Sequence, residues 1–356
     1  MHVLKHTFHP RNVNSFGIIF LFLMREYTRN NSMLNIFIYF GGLSILNHLI
    51  YIYNYWIPLK IKNIPLKNTL NDDNQLSLKS QISVLWYNTY SLPILTSRTH
   101  IQLVIDYVRA CIIKHPVNII GLCEVWLSRD AEYMSKYMLE MLGSDWSVYI
   151  SSENRIVGDG IILFWNKSNI HIGTLFSTRY GSSSGIDSVV SKGFVTALVT
   201  PYKIIDNKRI LSQNQSQKII FTHMQDFADS NSLKKTLAHR HQFNQLHDSL
   251  IYKYPSFIIG DLNFDFFQRD NIGFNENGET GGVFAKYKLV PTCEEYTFGV
   301  FSFKNRITCR TRNKFHSFDY VLKEKKNLET NSRVQIIRNV GMSNPSDHEA
   351  ILFTAL

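Results

Sequence analysis

The chain has 356 residues, and its 38 Lys and Arg against 28 Asp and Glu give a formal net charge of +10. Its 44% of hydrophobic and 19% of charged residues indicate a folded globular protein. A mean hydropathy of -0.12 excludes a protein that crosses a membrane many times. The positive charge favours a polyanionic partner or an anionic membrane surface, and it does not choose between them.

The four cysteines argue against a zinc site or a disulfide scaffold, because none forms a C-x-x-C pair and four are too few for this length. Cys111 and Cys123 lie in apolar runs and are predicted to be buried thiols. Cys293 and Cys309 flank a stretch rich in turn residues and could pair in an oxidising compartment.

Residues 1–57 are basic and hydrophobic, and we predict that they form a separate N-terminal region. From Met33 to Ile57 the chain runs for 25 residues without Asp, Glu, Lys or Arg. As a helix this run spans about 37 Å, more than a bilayer core of about 30 Å. We therefore predict a single membrane-spanning segment there, with a buried core helix as the alternative. Basic residues are nearly balanced on its two sides, which leaves the topology open.

The stretch 58–79 is polar and rich in Asn and Lys, which is typical of a tether, and the folded domain is predicted at 80–356. Apolar residues at helical spacing predict helices over Arg98–Lys114 and around Leu233–Tyr252. Short apolar runs alternate with these stretches, which is typical of an α/β domain. The strands are expected at Ile82–Tyr87, Val117–Cys123, Trp146–Ser151, Gly160–Trp165, Phe194–Val199, Lys218–Thr222, Ser256–Ile259, Phe318–Leu322 and Ala350–Phe353.

Polar residues follow four of the predicted strands at the point where each strand ends. Asn88 and Glu124 follow the first two, His223 follows a later one, and Asp261 with Asn263 follows the next. Because ligands in α/β proteins gather at the carboxyl ends of strands, these residues would form one pocket of oxygen ligands that suits Mg²⁺. For any one of them alone, a cap or turn role is the alternative.

Two groups near the C-terminus complete this set. Asp319 lies on a predicted strand, and Ser346-Asp347-His348 precedes the last strand. The order of all these residues along the chain resembles the endonuclease/exonuclease/phosphatase (DNase I-like) superfamily. The resemblance covers residues 82–356. It implies a four-layer α/β/β/α sandwich that hydrolyses phosphodiesters or phosphomonoesters with Mg²⁺.

Within that superfamily, the segments Trp86–Tyr90, Ile120–Val125 and Thr222–Gln225 are similar to motifs of the neutral sphingomyelinases. Asp187 and Lys192, five residues apart before a glycine and an aromatic residue, resemble the Asp and Lys pair of these enzymes, with a loop salt bridge as the alternative. This resemblance implies hydrolysis of sphingomyelin, or a related phospholipid, to ceramide and phosphocholine. The implied partners are that phospholipid and the membrane bilayer, and no nucleic acid is expected.

The resemblance also implies a role for each residue. Glu124 and Asn88 would hold Mg²⁺, for which Mn²⁺ or Co²⁺ could substitute. His348 would act as general base on the attacking water, since imidazole titrates near neutral pH. Asp319 would orient His348, because on an extended segment the side chain of the adjacent Asp347 points to the opposite face. Asp347 is then left to contact metal or water.

On the opposite wall, His223 would stabilise the phosphoryl oxygen by donating a hydrogen bond, with Asn263 as a neutral donor. Asp261 would hold water or the leaving group. Substrate binding is assigned to Lys192, Asp187 and Asp159. The histidines of the second predicted helix are expected to be solvated or capping groups: His239, His241 and His247.

The main alternative is a nuclease or abasic-site endonuclease of the same superfamily, which fits the charge and the same site residues but predicts no membrane span. A catalytically dead membrane-bound adaptor is a further alternative, and it would require a broken site. An inositol-polyphosphate 5-phosphatase is disfavoured, because the segment His316–Tyr320 differs from the motif of that branch. The segment Arg338–Pro345 lacks the aromatic membrane-inserting hairpin of secreted bacterial sphingomyelinases, so Met33 to Ile57 would supply membrane contact instead.

Overall fold

The computed structural model describes residues 81–91, 96–151, 158–184, 190, 192–205, 208–226, 233–249, 255–264, 287–289, 318–324, 331–338 and 340–355. The predicted membrane segment, the tether, Asp187, Cys293 and Cys309 lie outside these ranges. Within the ranges, no helix is long and apolar enough to cross a membrane. Cys111 and Cys123 are buried free thiols, as predicted.

The chain divides into one compact unit of residues 1–63 and 94–99 and a second of residues 64–93 and 100–356. Of the first unit, residues 96–99 are described, and Arg98 and Thr99 are the first two residues of the first helix. The strands all lie in the second unit.

The described part of the second unit contains thirteen strands, two whole helices and all but the first two residues of a third helix. The strands are β1 (Ile82–Asn88), β2 (Ile119–Cys123), β3 (Trp146–Ile150), β4 (Ile162–Asn166), β5 (Ile170–Arg179), β6 (Gly193–Ile205), β7 (Lys208–Leu211), β8 (Gln217–His223), β9 (Pro255–Asp261), β10 (Tyr287–Leu289), β11 (Asp319–Glu324), β12 (Ser332–Ile337) and β13 (Ala350–Ala355). The helices are α1 (Arg98–Lys114), α2 (Ser128–Leu142) and α3 (Leu233–Ser249).

The strands form two mixed sheets. The first has the order β12-β13-β1-β2-β4-β3, and the second has the order β10-β11-β9-β8-β6-β5 with β7 paired to β6. In the described strands, β1 runs parallel to β2 in the first sheet, and β8 runs parallel to β9 in the second. Each parallel pair therefore brings two carboxyl ends to the same edge of its sheet, where polar side chains can converge.

The two sheets pack face to face through alternate residues of their strands. Ile82, Val84 and Trp86 of β1 share one apolar cluster with Val195 of β6 and Phe221 of β8. Side chains alternate between the two faces of a strand, so this side of β1 faces the other sheet. A fully buried side chain such as Phe221 contributes about 1.5–3 kcal/mol relative to an exposed one.

The outer face of each sheet is covered by helices. Leu85 and Tyr87, the intervening residues of β1, pack in a second cluster with Val104 of α1 and Met134 of α2. In a third cluster, Leu246 of α3 packs on the second sheet. Because both faces of β1 are buried, its sequence is mostly apolar on both of them, with Ser83 and Asn88 as its polar residues. The layers are thus helix, sheet, sheet and helix, which confirms the predicted α/β/β/α class in the described residues.

A close contact between β8 and β9 sets the position of their last residues. A Cβ atom at Gly260 would lie 2.1 Å from the carbonyl oxygen of Thr222. Only glycine permits this approach of the two backbones. His223 and Asp261, which follow these residues, are therefore direct neighbours across the parallel pair.

Candidate active site

The predicted site residues meet where the strand ends of both sheets come together. In the second sheet, Asp261 pairs with His223 on one side and with Asp319 on the other. In the first sheet, Asn88 pairs with Cys123, so that Glu124 comes immediately after this row. Residues far apart in sequence are adjacent because the parallel strands β8 and β9 end at this edge, while the antiparallel β11 begins there.

Three non-glycine residues in the described ranges have a positive φ angle, and each comes one or two residues after a strand that ends at the site. They are Tyr90 with φ 51°, Glu124 with φ 62° and Asn263 with φ 49°. This left-handed region is common for Asn but unfavourable for Tyr and Glu. Such strain persists only where surrounding contacts impose it, and it clusters at functional sites.

His348 is held by a short hydrogen bond to Asp319. Its Nδ1 lies 2.7 Å from Asp319 Oδ2, and both side chains are buried. Its Nε2 faces the first sheet, 3.4 Å from Asn88 Nδ2, and lies 3.8 Å from Asp261 Oδ2. The arrangement fixes the ring and directs Nε2 toward the cluster of site residues that contains Asn88 and Asp261.

Asp261 and Asn88 join the two sheets. Asn88 Nδ2 donates to Asp261 Oδ2 over 2.9 Å. Asp261 Oδ1 accepts from the backbone N–H of Asn263, at 2.8 Å. The side chain of Asn263 donates to the carbonyl oxygen of Met224, at 2.9 Å, rather than into the cluster.

His223, Glu124 and Lys192 form the other half of the cluster. His223 Nε2 lies 3.6 Å from Glu124 Oε1 and 3.1 Å from Lys192 Nζ. Lys192 Nζ also donates to the carbonyl oxygen of Met224, at 2.7 Å, and lies 5.9 Å from the centre of the Trp126 ring. Lys192 is 4% exposed, so its ammonium is an integral part of the site.

Burial and charge shift the pKa values of these groups in opposite directions. Burial raises the pKa of Glu124 to about 7 and also raises that of Asp261. Burial alone would lower the pKa of His348, but the carboxylates of Asp319 and Asp261 outweigh it and raise that pKa to about 10. Burial, followed by the charges of Lys192 and His348, holds the pKa of His223 well below 6.5. The two histidines therefore differ in charge at neutral pH.

The residues present fit a divalent cation. Glu124, His223 and Asp261 each offer a ligand atom within 4.8 Å of one another, and Asp261, Asp319 and His348 do the same. Glu124 Oε2 is buried and has no hydrogen-bond partner, which leaves a carboxylate oxygen uncompensated. A hard cation with oxygen ligands would satisfy that atom.

The remaining predicted residues lie differently. Asp347 is 7% exposed and its Oδ1 lies 3.5 Å from Ser346 Oγ, while its charge raises the pKa of Glu124 and of His348. Asp159 Oδ1 accepts from Ser151 Oγ and, at 3.2 Å, from the backbone N–H of Ile161. These bonds fix the turn beside the segment after Glu124. Asp187 lies outside the described residues.

The prediction that His239 is a solvated or capping group is wrong. His239 is 4% exposed, stacks against Phe264, and its Nε2 bonds to the carbonyl oxygen of Leu262 at 2.8 Å. Helical periodicity was too weak to show which face of α3 is buried. His241 is exposed, as expected, and the side chain of His247 is outside the described set.

His239 gives a stability prediction. Burial, opposed by its bond to Leu262, lowers the pKa of His239 to about 4, with Lys192 and Asp226 as the charges that act on it. The neutral ring therefore stabilises the fold above pH 6.5, and this contribution of about 3 kcal/mol is lost as pH falls through 4. We expect His239→Phe to show a flatter dependence of unfolding free energy on pH over this window, measured by urea unfolding with EDTA. Parallel curves would contradict the assignment.

Asn344 was not predicted as a site residue, yet it holds the loop of His348. Asn344 Nδ2 donates to the carbonyl oxygen of His348, at 2.6 Å, and to Glu349 Oε2, at 3.0 Å. Its Oδ1 accepts from the hydroxyl of Tyr87, at 2.6 Å, and from the backbone N–H of Ser346, at 3.0 Å. The Asn-Pro dipeptide in the sequence signals a turn but does not reveal these partners.

A model of the Endonuclease/Exonuclease/phosphatase family matches residues 85–348, a span that contains every residue of the cluster. The chain belongs to this family. Its members are hydrolases of the phosphodiesterase and nuclease class that use a divalent metal. No curated protein sequence matches the chain.

Solved structures share the fold at low sequence identity. Sphingomyelinase C from Streptomyces griseocarneus is 14% identical with a TM-score of 0.53, over 78% of this chain and 99% of that one. A double mutant of beta toxin from Staphylococcus aureus with bound magnesium ions is 14% identical with a TM-score of 0.53, over 77% and 99%. D. rerio TDP2 complexed with a single-strand DNA product is 12% identical with a TM-score of 0.53, over 78% and 99%.

Proposed function

We propose that this hydrolase is a Mg²⁺-dependent phosphodiesterase that cleaves sphingomyelin, or a related phospholipid, into ceramide and phosphocholine. The observation that carries the proposal is Lys192, whose buried ammonium lies 3.1 Å from His223. Lys192 is the residue that the sphingomyelinase-like motif assigns to this site. The similarity of the fold to sphingomyelinase C agrees with the proposal but does not select the substrate.

Glu124 and Asp261 would hold the metal, since their carboxylate oxygens lie within 4.8 Å of each other. Asn88, predicted as a ligand, instead turns Nδ2 toward Asp261. When bound there, Mg²⁺ would polarise a phosphoryl oxygen, neutralise its charge and lower the pKa of the neighbouring His348 by like-charge repulsion. Glu124 supplies the charged ligand, since its Oε2 has no other partner. Asn88 is fixed by the backbone N–H of Tyr90, which donates to its Oδ1 over 3.0 Å.

His348 would take the proton of the attacking water at Nε2. The N–H at Nδ1 of the neutral ring donates a hydrogen bond to Asp319. The neutral ring therefore presents an unprotonated Nε2 to the site. Asp319 also stabilises the imidazolium formed after proton transfer. The bond between His348 Nδ1 and Asp319 supports Asp319 rather than Asp347 in this role.

Lys192 would stabilise the charge that develops on the phosphoryl oxygens. An ammonium only donates, so the contact with Lys192 makes His223 Nε2 an acceptor and puts the ring proton on Nδ1. On this side of the site, Lys192 is then the hydrogen-bond donor to the phosphoryl oxygens, and His223 orients its ammonium. This refines the role that sequence analysis gave to His223. Asn263, which bonds to Met224, would hold the turn after Asp261.

The apolar segment Met33 to Ile57 would bring this site to the bilayer, where such lipid substrates reside. A second candidate function is cleavage of DNA at abasic sites, which the net charge of +10 favours because the phosphate backbone attracts basic proteins. The two candidates share the same chemistry and differ in the group attached to the phosphate.

Purified full chain with Mg²⁺ should be assayed in parallel on detergent micelles of sphingomyelin and on a duplex with one abasic site. We expect release of phosphocholine and no DNA incision. Phosphatidylcholine micelles, as a third arm, separate sphingomyelin from a related phospholipid. Incision of the duplex without phosphocholine release would support the nuclease, and it would refute the lipid proposal.

A further inference from the structure

Two turns at the site have the same construction. Asn88-Thr89-Tyr90 begins at the last residue of β1, and Asp261-Leu262-Asn263 begins at the last residue of β9. In each, the side-chain Oδ1 of the first residue accepts the backbone N–H of the third, over 3.0 Å and 2.8 Å respectively. In each, the third residue is left-handed, with φ of 51° and 49°. The first turn thereby holds Asn88 and the second holds Asp261, and these two side chains face each other between the two sheets.

A buried histidine of a packed helix bonds to the middle residue of each turn. His100 of α1 places Nε2 2.9 Å from the carbonyl oxygen of Thr89, and His239 of α3 places Nε2 2.8 Å from that of Leu262. The histidines are 7% and 4% exposed. Because a carbonyl oxygen can only accept, Nε2 of each ring carries a proton.

The carbonyl and the N–H in each turn belong to one peptide group. The histidine bonds to its oxygen, while the side chain of Asn88 or Asp261 bonds to its N–H. A peptide group is planar, so fixing its oxygen also fixes the direction of its N–H. Hydrogen bonds linked through one amide polarise each other and strengthen both. The position of the histidine therefore helps to determine the orientation of the Asn88 carboxamide or the Asp261 carboxylate, which bonds to that N–H.

Two features of each turn make its conformation depend on such support. Thr89 and Leu262 are fully buried, so water cannot satisfy their carbonyl oxygens. The left-handed conformation that follows is unfavourable for Tyr90 in particular. With Oδ1 fixed, the other polar atom of each site residue is aimed inward, and Asn88 Nδ2 meets Asp261 Oδ2 at 2.9 Å.

We propose that His100 and His239 are positioning residues, one for each sheet, that orient Asn88 and Asp261 through the Thr89–Tyr90 and Leu262–Asn263 peptide groups. Neither histidine touches substrate. They set the separation and direction of the two groups next to His348. The effect on turnover rests on the proposed hydrolase function, whereas the effect on the turns does not.

The test compares two replacements at each position. Phe keeps an aromatic ring but has no donor, and Gln can place an amide N–H where the imidazole Nε2 lies. His241→Phe, an exposed position on the same helix, is the matched control. The measurements are kcat and KM for a generic phosphodiester, thermal unfolding at pH 7.5, and hydrogen exchange at the amides of Tyr90 and Asn263.

We expect His100→Phe and His239→Phe to lower kcat by about 10- to 100-fold, with KM within about threefold, since small misplacements of reacting groups have effects of this size. Amide exchange should accelerate at Tyr90 in the first variant and at Asn263 in the second. The Gln variants should keep slow exchange and most of kcat.

The proposal is overturned if the Phe variants keep both kcat and exchange protection. It is also overturned if the Gln variants lose kcat as far as Phe while they remain folded. If a Phe variant fails to fold, kcat and amide exchange of the Gln variant at that position, compared with wild type, decide the test. If wild-type protein cleaves no phosphodiester, amide exchange still tests the turns, so failure of the function and failure of this inference are distinguishable.

Discussion

His348→Ala is expected to lower kcat by about 10²- to 10⁴-fold, the contribution typical of a positioned general base. The ring bonds Asp319 at 2.7 Å and directs Nε2 toward Asn88 and Asp261, so alanine removes an imidazole nitrogen that faces this part of the site. KM should change little, because the loss is confined to the transition state. Steady-state kinetics at pH 7.5 measure the effect, with exposed His171→Ala as the matched control.

Asp319→Asn should be milder than His348→Ala and should act through the same ring. The double variant should therefore be little worse than His348→Ala alone. Multiplying losses would show that Asp319 works independently of His348. If Asp347→Asn gives the non-additive pattern instead, the residue adjacent in sequence is the orienting carboxylate.

Glu124→Gln is expected to remove most activity, by about 10²-fold or more, and to abolish stabilisation of the fold by Mg²⁺. The substitution keeps the shape of the side chain but removes the charge of a buried oxygen that has no hydrogen-bond partner. Because burial raises the pKa of Glu124 to about 7, the comparison belongs at pH 8, where the wild-type carboxylate is ionised.

The shift of the unfolding temperature between EDTA and Mg²⁺ reports metal binding directly for Glu124→Gln. Glu132→Gln, at an exposed position on α2, is the control and should keep the wild-type shift. An undiminished Mg²⁺ shift in Glu124→Gln would place the metal elsewhere in the site.

The central strands and the first helix were predictable because burial dictates their composition. The helix over Arg98–Lys114 was predicted with the observed bounds, since its buried residues recur at helical spacing. β1 is an apolar run because both of its faces are covered. β2 begins at Ile119 rather than at Val117, because Asn118 bonds the backbone of Ser83 at the strand start.

Elements at the edge of the fold were missed for physical reasons. β5 lies at one edge of its sheet, is mostly exposed and contains an irregularity between Ile172 and Thr174, which breaks the alternation that marks a strand. These features weaken the local signal of β5, while tertiary packing still determines its structure. α2 was predictable, because its buried residues Ala131, Met134, Met138 and Leu142 recur at helical spacing, but it was not predicted.

The site was predictable to the extent that function requires polar residues after apolar strands. Asn88, Glu124, His223 and Asp261 were recognised in this way and lie together. His100 and His239 were not, because a histidine on a helix gives no sign of a backbone partner in a distant turn. Asp159, assigned from the resemblance alone, precedes β4 and bonds to Ser151 and to the backbone of Ile161.

The central claim is that the strand ends of the two sheets form one metal-dependent centre for phosphodiester hydrolysis. The most direct measurement uses bis(p-nitrophenyl) phosphate, which carries neither lipid nor base, with the folded full chain in Mg²⁺ or in EDTA. The account predicts release of p-nitrophenol with Mg²⁺ that EDTA abolishes and His348→Ala reduces by about 10²-fold or more. Equal release in EDTA, or undiminished release by His348→Ala, would contradict it.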